Sequence, residues 1–260
     1  MFDCGWGGNI RAASLEKGII NLMNDRQKII EHLKKQLDAR TDIHAFWIEG
    51  SVAQGYDDEY SDIDLWLSVD DDKIFTIYDD IEQILSQIAP IDFRYLIKNT
   101  GELGHIAYHL EGMSDFLTID INTQGIGRDV KLVEGVDDAK VIFDKQKVVD
   151  FRVYPPRNNN LDDARKRLGD YYKLISLSVI KSIKRDKPLE TIYYYHLILQ
   201  YVTKFLRLKY GWHEKTDYDL KHIYRDIPEK EVKNLERFYG IRASEVEGVL
   251  PELEKWIRSL

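Results

Sequence analysis

The chain is short of cysteine, of long apolar runs and of any secretion signal. Its single cysteine, Cys4, excludes a disulfide within the chain and suits a reducing cytosol. No apolar stretch approaches the ~20 residues that a membrane-spanning helix needs. Residues 1–22 lack the basic segment followed by an apolar core that marks a secretory signal. We therefore predict a cytoplasmic protein without a membrane partner.

Charge is abundant and unevenly distributed. The 260 residues are 43% hydrophobic and 32% charged, enough for one large or two ordinary globular domains. Residues 151–260 contain 22 Lys+Arg and 16 Asp+Glu, a net of +6, whereas residues 1–150 contain 15 and 29, a net of −14. This asymmetry suggests two domains with a cleft between surfaces of opposite sign. The acidic first half argues against a nucleic acid partner, because polynucleotides need a basic track for their phosphates.

The most informative segment is residues 49–67. Gly50 and Ser51 follow an apolar stretch, and a ten-residue spacer separates them from Asp62 and Asp64. Residues i and i+2 of a strand point to the same side, so both carboxylates face one way while their apolar neighbours face the core. Paired carboxylates suit Mg²⁺, which completes its shell with phosphate and water. A glycine-serine turn lets backbone N–H groups approach a phosphate. The segment therefore predicts a Mg-nucleotide site.

An Asp-x-Asp pair alone is common in acidic proteins, and Gly-Ser alone is weaker still. The combination of apolar strand, Gly50-Ser51, spacer and Asp62-Ile-Asp64 resembles the nucleotidyltransferase superfamily, whose founding fold is DNA polymerase beta. The surrounding residues look most like the small bacterial aminoglycoside and lincosamide nucleotidyltransferases. The resemblance implies that Asp62 and Asp64 hold Mg²⁺, and that Gly50 and Ser51 bind the phosphates of ATP, the nucleotidyl donor. Ser61 is expected to be a hydrogen-bond donor of the loop beside the nucleotide.

The resemblance also implies a third acidic residue on a neighbouring strand, as a metal ligand or a general base. Asp120 is our candidate, because it lies in an apolar strand-like segment where an unpaired aspartate is costly to bury. The alternative for Asp120 is a strand-end residue that caps a loop or pairs with a lysine. Asp92 is a rival on an equally strand-like segment, and Glu111 and Glu134 are weaker candidates in predicted turns. The sequence does not separate the roles of ligand and base.

The predicted fold is α+β: an N-terminal nucleotidyltransferase domain, with helices on a mixed sheet, precedes a C-terminal helical bundle. Residues 1–22 are read as a leader or an N-terminal arm, 23–153 as the catalytic domain and 161–260 as the substrate-binding domain. The residues at 154–160 have the composition of a linker. Predicted elements are a helix from Asn24 or Asp25 to Arg40, strands at 43–49, 62–68, 91–98, 105–110, 116–122 and 141–143, a short helix from Ser51, a helix from Asp71 or Asp72, a turn at 111–114, and helices from Leu161, from Pro188, at 229–239 and at 243–258.

The predicted activity is Mg-dependent transfer of AMP from ATP to a hydroxyl of a small molecule, with aminoglycoside- or lincosamide-type antibiotics as the suggested acceptors. We expect the helical domain to select the acceptor. Five of its tyrosines could stack on a base; the alternative is that Tyr195 packs in the core and the others lie on a solvated surface. The five tyrosines are Tyr193, Tyr194, Tyr195, Tyr201 and Tyr210. His105 and His109 lie ~13 Å apart on a strand, too far to share a metal. The alternatives are a protein-directed adenylyltransferase or regulator and a nucleotide-binding module without catalysis. The sequence does not predict the oligomeric state.

Overall fold

A computed structural model of the protein describes residues 12–128, 130–133, 139–152 and 160–260. The chain divides into two compact units, Met1–Tyr154 and Pro155–Leu260. The described part of the first unit contains α1 (Ala12–Asp38), α2 (Gly50–Gln54), α3 (Ile77–Leu85), a 3-10 turn (Asp71–Lys73), and strands β1 (Ile43–Glu49), β2 (Ile63–Val69), β3 (Ile91–Asn99), β4 (Leu103–Leu110), β5 (Ile119–Gly125), β6 (Val130–Val133), β7 (Lys140–Asp144) and β8 (Val149–Arg152).

Within the described residues, six strands form one mixed sheet in the order β3-β4-β5-β2-β1-β7. Strands β2 and β5 run parallel at its centre, and the other neighbouring pairs are antiparallel. Strands β6 and β8 form a separate parallel pair that the sequence did not predict. A mixed sheet with helices, followed by a helical unit, confirms the predicted α+β class.

One face of the sheet is covered by α1 and α3. Ile63, Leu65 and Leu67 of β2 are at most 1% exposed and share a buried apolar cluster with Leu33 of α1 and Ile81 of α3. Burial of such side chains contributes roughly 1.5–3 kcal/mol each to folding. Because strand side chains alternate, the residues between them lie on the other face of the sheet.

That other face carries two tryptophans side by side. Trp47 of β1 and Trp66 of β2 are cross-strand partners, and their rings stack with centroids 5.6 Å apart and planes 9° apart. They belong to a small second apolar cluster that includes Ala45 and Leu132. These residues cover part of this face, on which Asp64 of β2 also lies.

Two predicted helix starts in the first half are wrong. Helix α1 begins at Ala12, well before the predicted start at Asn24 or Asp25, so part of the predicted leader is helical. Residues 12–17 are mostly good helix formers without glycine or proline, which favours this extension. The helix predicted from Asp71 is a 3-10 turn followed by α3 from Ile77. The Asp71 side chain accepts a hydrogen bond from Gly127 N–H at 3.2 Å, which ties the turn to the end of β5.

Strand β5 begins at Ile119, three residues after the predicted start at Phe116. Residues 111–118 thus form a longer connection than the predicted four-residue turn. The Phe116 ring is half exposed and packs edge-on against Tyr60, with centroids 5.1 Å apart. Phe116 thus lies in the connection, where it contacts Tyr60, and outside the ladder. The predicted linker at 154–160 and the candidate Glu134 lie outside the described residues, except for Asn160.

The second unit is helical in its described residues. Asn160 begins its first helix by accepting backbone N–H groups of Asp162 and Asp163, and Pro188 occupies the first turn of the next helix. The elements are α4 (Leu161–Lys184), α5 (Pro188–Lys209), a 3-10 segment (His213–Tyr218), α6 (Ile223–Asp226), α7 (Glu229–Tyr239), a 3-10 turn (Ala243–Glu245) and α8 (Val246–Ser259). In the described part of the chain, no helix has the length and apolar character needed to cross a membrane.

An ion pair lies in the interior of the helical unit. Arg207 Nη1 and Asp226 Oδ2 are 2.7 Å apart, and both side chains are fully buried. Arg207 also donates to the carbonyl oxygens of Asp219 and Lys221. Burial opposes ionisation of Asp226, but its hydrogen bonds with Arg207 and Arg225 prevail and lower the pKa of its carboxyl.

The tyrosines proposed for substrate stacking have different environments. Tyr195 is buried and donates its hydroxyl to the carbonyl of Phe238, as expected for a core residue. Tyr193 is 59% exposed. Tyr201 stacks on Tyr171 with ring centroids 4.3 Å apart. Tyr194 packs edge-on against Tyr193, and Tyr210 hydrogen-bonds Glu231. Whether any of them contacts a substrate stays a prediction.

Candidate active site

Three carboxylates meet on the face of the sheet opposite α1 and α3, which we call the open face. Asp62, Asp64 and Asp120 each offer one oxygen, and these oxygens all lie within 4.8 Å of one another. Asp62 immediately precedes β2, Asp64 lies two residues later, and parallel pairing makes Asp120 of β5 the cross-strand partner of Asp64. All three residues are half-buried. The structure thus brings together the three acidic residues that the sequence singled out.

The donor set fits a hard divalent cation. Three like charges this close repel one another unless a cation or protons neutralise them. Carboxylate oxygens are the ligands that Mg²⁺ prefers, at ~2.1 Å, so oxygens on opposite sides of the ion lie ~4.2 Å apart. The 4.8 Å limit of the cluster is close to that span. Asp62, Asp64 and Asp120 are therefore the residues that would hold such an ion.

The backbone of Gly50 lies next to the Asp64 carboxylate. It opens α2 with φ +73°, a conformation that side-chain-bearing residues rarely adopt. A β-carbon added at Gly50 would be 2.5 Å from Asp64 Oδ2, closer than any non-bonded contact allows. Glycine is therefore needed both for the backbone turn and for the approach of the carboxylate. Ser51 follows in the first turn of α2 and is half-buried beside it.

A buried arginine holds the loop that leads to Asp62. Arg26 of α1 is 2% exposed and donates to Asp57 Oδ2 and to the Ser61 carbonyl, both at 3.0 Å, and also to the Asp58 carbonyl. Ser61 Oγ donates to Asp58 Oδ1 at 2.9 Å and accepts from Asp58 N–H. Ser61 thus serves the loop itself, and its contact with a nucleotide stays a prediction. The role of Arg26 was missed, because nothing local in the sequence relates α1 to this loop.

Asp120 is bound by a histidine that sequence reasoning also passed over. His105 Nε2 on β4 lies 2.9 Å from Asp120 Oδ1, and Thr118 Oγ1 lies 3.4 Å from Asp120 Oδ2. Strand alternation places residue 105 on the open face, but only the pairing of β4 with β5 brings it to Asp120. The sequence therefore indicated which face of the sheet His105 lies on, but not which residue of β5 it contacts.

The rival candidate Asp92 is occupied elsewhere. His109 Nδ1 lies 2.6 Å from Asp92 Oδ1, and His109 Nε2 lies 3.0 Å from the Ser114 carbonyl. Burial opposes protonation of His109, but these acceptors prevail and raise its pKa. Asp92 is not part of the three-carboxylate cluster, and neither is Glu111, which lies just after β4.

One cross-strand row relates the cluster to the rest of the open face. Its members, each the backbone partner of the next, are Glu49, Asp64, Asp120, Ala107 and Tyr95. Gly50 follows Glu49 at one end, and Tyr95 at the other end is 60% exposed. The small Ala107 side chain separates the carboxylates from that ring. The cluster therefore has the glycine-serine turn on one side and, on the other, a surface formed by Ala107 and the exposed ring of Tyr95.

A mixed sheet that carries a Gly-Ser turn and three convergent carboxylates defines a catalytic domain of the nucleotidyltransferase type. The family described as "Polymerase beta, Nucleotidyltransferase" matches residues 27–112, which include Gly50, Ser51, Asp62 and Asp64 but not Asp120. Residues 27–112 are therefore identified as part of a polymerase beta-type nucleotidyltransferase domain, and the protein is a nucleotidyltransferase enzyme.

Two solved structures are similar over most of the chain. One is the GLD-2/RNP-8 complex, with 13% identity, TM-score 0.33, and coverage of 88% of this chain and 69% of that chain. The other, from H. pylori, is described as a nucleotidyltransferase, with 13% identity, TM-score 0.27, and coverage of 92% and 97%. Similarity at this level says nothing about substrate. No curated protein sequence matches the chain.

Proposed function

We propose that the protein catalyses Mg-dependent transfer of AMP from ATP to a hydroxyl group of a small molecule. The observation that carries the proposal is the convergence of Asp62, Asp64 and Asp120 within 4.8 Å, beside the turn at Gly50 and Ser51. The match of residues 27–112 to the polymerase beta-type nucleotidyltransferase family supports the reaction class. The choice of AMP, ATP and Mg²⁺ within that class is part of the proposal.

In the proposed reaction the acceptor oxygen attacks the α-phosphorus of ATP, the α–β phosphoanhydride bond breaks, and pyrophosphate leaves. Mg²⁺ at the cluster would supply charge neutralisation and a lower pKa for the acceptor hydroxyl. Asp62 and Asp64 would orient the triphosphate through the metal. Backbone N–H groups and the Ser51 hydroxyl at the Gly50–Ser51 turn would hold the leaving phosphates. Asp120 would take up the hydroxyl proton at a carboxylate oxygen or act as the third ligand.

The row across the sheet favours one direction of approach. Attacking and leaving oxygens are roughly in line with phosphorus in phosphoryl transfer. If pyrophosphate leaves toward Gly50, the acceptor enters from the opposite side, over Asp120 and Ala107 and toward Tyr95. A small acceptor with a ring that can lie against an exposed tyrosine suits that surface. Aminoglycoside- and lincosamide-type compounds are the first candidates.

The acidity of residues 1–150 supports a small, cationic acceptor and argues against a nucleic acid substrate. A cytoplasmic location, suggested by the single cysteine, is part of the proposal. Asp57 is neutralised by Arg26 at 3.0 Å, so one of the carboxylates near the cluster does not face an acceptor uncompensated.

The test is direct. Purified protein, α-³²P-labelled ATP and Mg²⁺ are incubated with a panel of aminoglycosides and lincosamides, and labelled products are separated by chromatography. Asp64→Asn should abolish transfer, whereas Asp92→Asn, which alters another histidine-paired carboxylate of the same sheet, should leave it unchanged. Unchanged turnover in Asp64→Asn would refute the assignment. Label that appears on a protein band instead of a small molecule would favour the protein-directed alternative.

A further inference from the structure

We infer that His105 is a positioning residue for Asp120: it fixes the orientation in which this carboxylate completes the cluster with Asp62 and Asp64. The inference rests on the proposed function, since it assigns His105 to the metal centre proposed above. Histidines of this chain have no spacing that suggests a site, and the role arises only from the fold.

The contact geometry gives Asp120 one defined orientation. His105 Nε2 lies 2.9 Å from Asp120 Oδ1 and Thr118 Oγ1 lies 3.4 Å from Asp120 Oδ2, so both oxygens have a protein partner. The side chains of His105 and Asp120 are 24% and 15% exposed. In this orientation an Asp120 oxygen lies within 4.8 Å of oxygens from Asp62 and Asp64.

The register of the sheet explains how His105 reaches the carboxylate. The backbone partner of His105 is Asn122, while the partner of Asp120 is Ala107. His105 is therefore a diagonal neighbour of Asp120 across the β4–β5 ladder, and the residue directly opposite Asp120 is the small Ala107.

Partners of metal-bound carboxylates affect affinity without contacting the metal. A carboxylate that must find its orientation on binding loses more entropy than one already held, and removal of such a partner typically costs 10–100-fold in metal affinity or activity. A hydrogen bond to an ionised carboxylate is also about twice as strong as a neutral one. His105 is placed to provide both effects through Nε2.

The same strand supplies a matched control. His109 lies four residues later on the same face of β4 and forms the same kind of pair, at 2.6 Å from Asp92. Asp92 is outside the cluster. Loss of His109 therefore removes a histidine–aspartate pair from β4 without touching the proposed metal ligands.

The experiment compares two amides that differ in reach. Glutamine places its amide nitrogen near the position of His Nε2, whereas asparagine reaches only to the position of Nδ1. The affinity of the full-length protein for Mn²⁺ alone is measured by EPR for the wild type, His105→Gln, His105→Asn and His109→Ala, together with each melting temperature. His109 contacts Asp92 through Nδ1, which an asparagine could replace, so alanine is used at that position. We expect His105→Asn to weaken Mn²⁺ binding about tenfold or more. His105→Gln should stay within about threefold of the wild type, and His109→Ala should bind as the wild type does.

Two results would overturn the inference: Mn²⁺ affinity of His105→Asn equal to that of the wild type, or an equal loss in His105→Gln and His109→Ala. The first would show that Asp120 orients without help, and the second that only the stability of β4 matters. Failure of the wild type to bind Mn²⁺ would instead remove the metal centre, and with it the proposed function. A variant that does not fold is replaced by His105→Thr, which is too short to reach Asp120.

Discussion

Gly50 and Asp64 are so close that a β-carbon on Gly50 would lie 2.5 Å from Asp64 Oδ2. Gly50→Ala is therefore expected to displace the central carboxylate of the cluster and to abolish nucleotidyl transfer. Because φ is positive at Gly50, alanine at this position should also lower the free energy of unfolding by about 1–2 kcal/mol. Transfer rates and chemical denaturation of the purified variant measure the two effects separately.

Gly55→Ala is the control for the backbone cost. Gly55 has the same φ of +73° at the other end of α2, and an added β-carbon there would have no atom within 4 Å. It should lose a similar free energy of unfolding and retain transfer. Equal loss of activity in both variants would mean that the conformation of α2, and not contact with Asp64, is what the site requires.

Three carboxylates with oxygens within 4.8 Å of one another are expected to repel when no cation is bound. Asp64→Asn removes one charge, so the melting temperature in EDTA should rise by a few degrees, as about 1 kcal/mol of relieved repulsion would produce. Added Mg²⁺ should then raise the melting temperature of the wild type and leave that of the variant unchanged. Thermal scans with and without Mg²⁺ measure both. A variant that melts lower than the wild type in EDTA would show that hydrogen bonds of Asp64 outweigh the repulsion.

Arg26 connects α1 to the loop before Asp62 through three acceptors. Arg26→Lys keeps the positive charge but loses the planar fork, so we expect loosening of residues 57–61 and about tenfold slower transfer. Hydrogen exchange of the loop amides reports the loosening directly. Protection of those amides at the wild-type level would contradict the expected role of Arg26.

Arg40→Lys tests whether any arginine in this region has the same effect. Arg40, just past the end of α1, pairs with Asp42 and Asp80, both at 2.7 Å. Asp42 lies at the end of the β1–β2 ladder away from Asp64. Arg40→Lys should lower stability slightly, because the pairs are partly exposed, and should not change transfer.

The buried Arg207–Asp226 pair makes the helical unit sensitive to acid. The pKa of Asp226 is lower in the folded state than in the unfolded state. The ion pair therefore contributes fully to the free energy of unfolding above the unfolded-state pKa of about 3.9, and this contribution is lost as pH falls through the folded-state pKa. Asp226→Asn leaves Arg207 buried without a counter-charge and should cost about 3–5 kcal/mol at pH 7. The difference from the wild type should shrink below pH 4. Urea denaturation from pH 3 to 7 measures it, and a difference independent of pH would refute the assignment.

Local patterns were sufficient for much of the fold. Alternation around Ile63 and Leu65 predicted β2 to within a residue, and the apolar spacing after Leu161 predicted the long first helix of the second unit. These elements are regular and bury one continuous face, so their own residues specify them. The class of enzyme followed from the family resemblance carried by Gly50-Ser51 and the Asp-x-Asp pair, a pattern contained within about twenty residues.

Features that depend on distant partners were not predictable. Phe116 has the composition of a strand residue, yet it lies in the connection before β5, where it contacts Tyr60. His105 was judged by its spacing to His109, whereas its partner is Asp120 on the next strand. Arg26 looks like a surface residue of an amphipathic helix and is 2% exposed. In each case the deciding contact is made with a different element, and a single sequence contains no record of it.

The parallel pairing of β2 with β5 has a consequence for biosynthesis. Asp64 and Asp120 become neighbours only through strands that are 56 positions apart in the chain. Pairings of such separation form late, because the loop must close before the contacts repay its entropy. A nascent chain that has emerged only as far as β4 contains both aspartates of the Asp-x-Asp pair and no complete cluster. The proposed cation site is thus complete only once the two central strands have paired, and a cation bound there would oppose their separation.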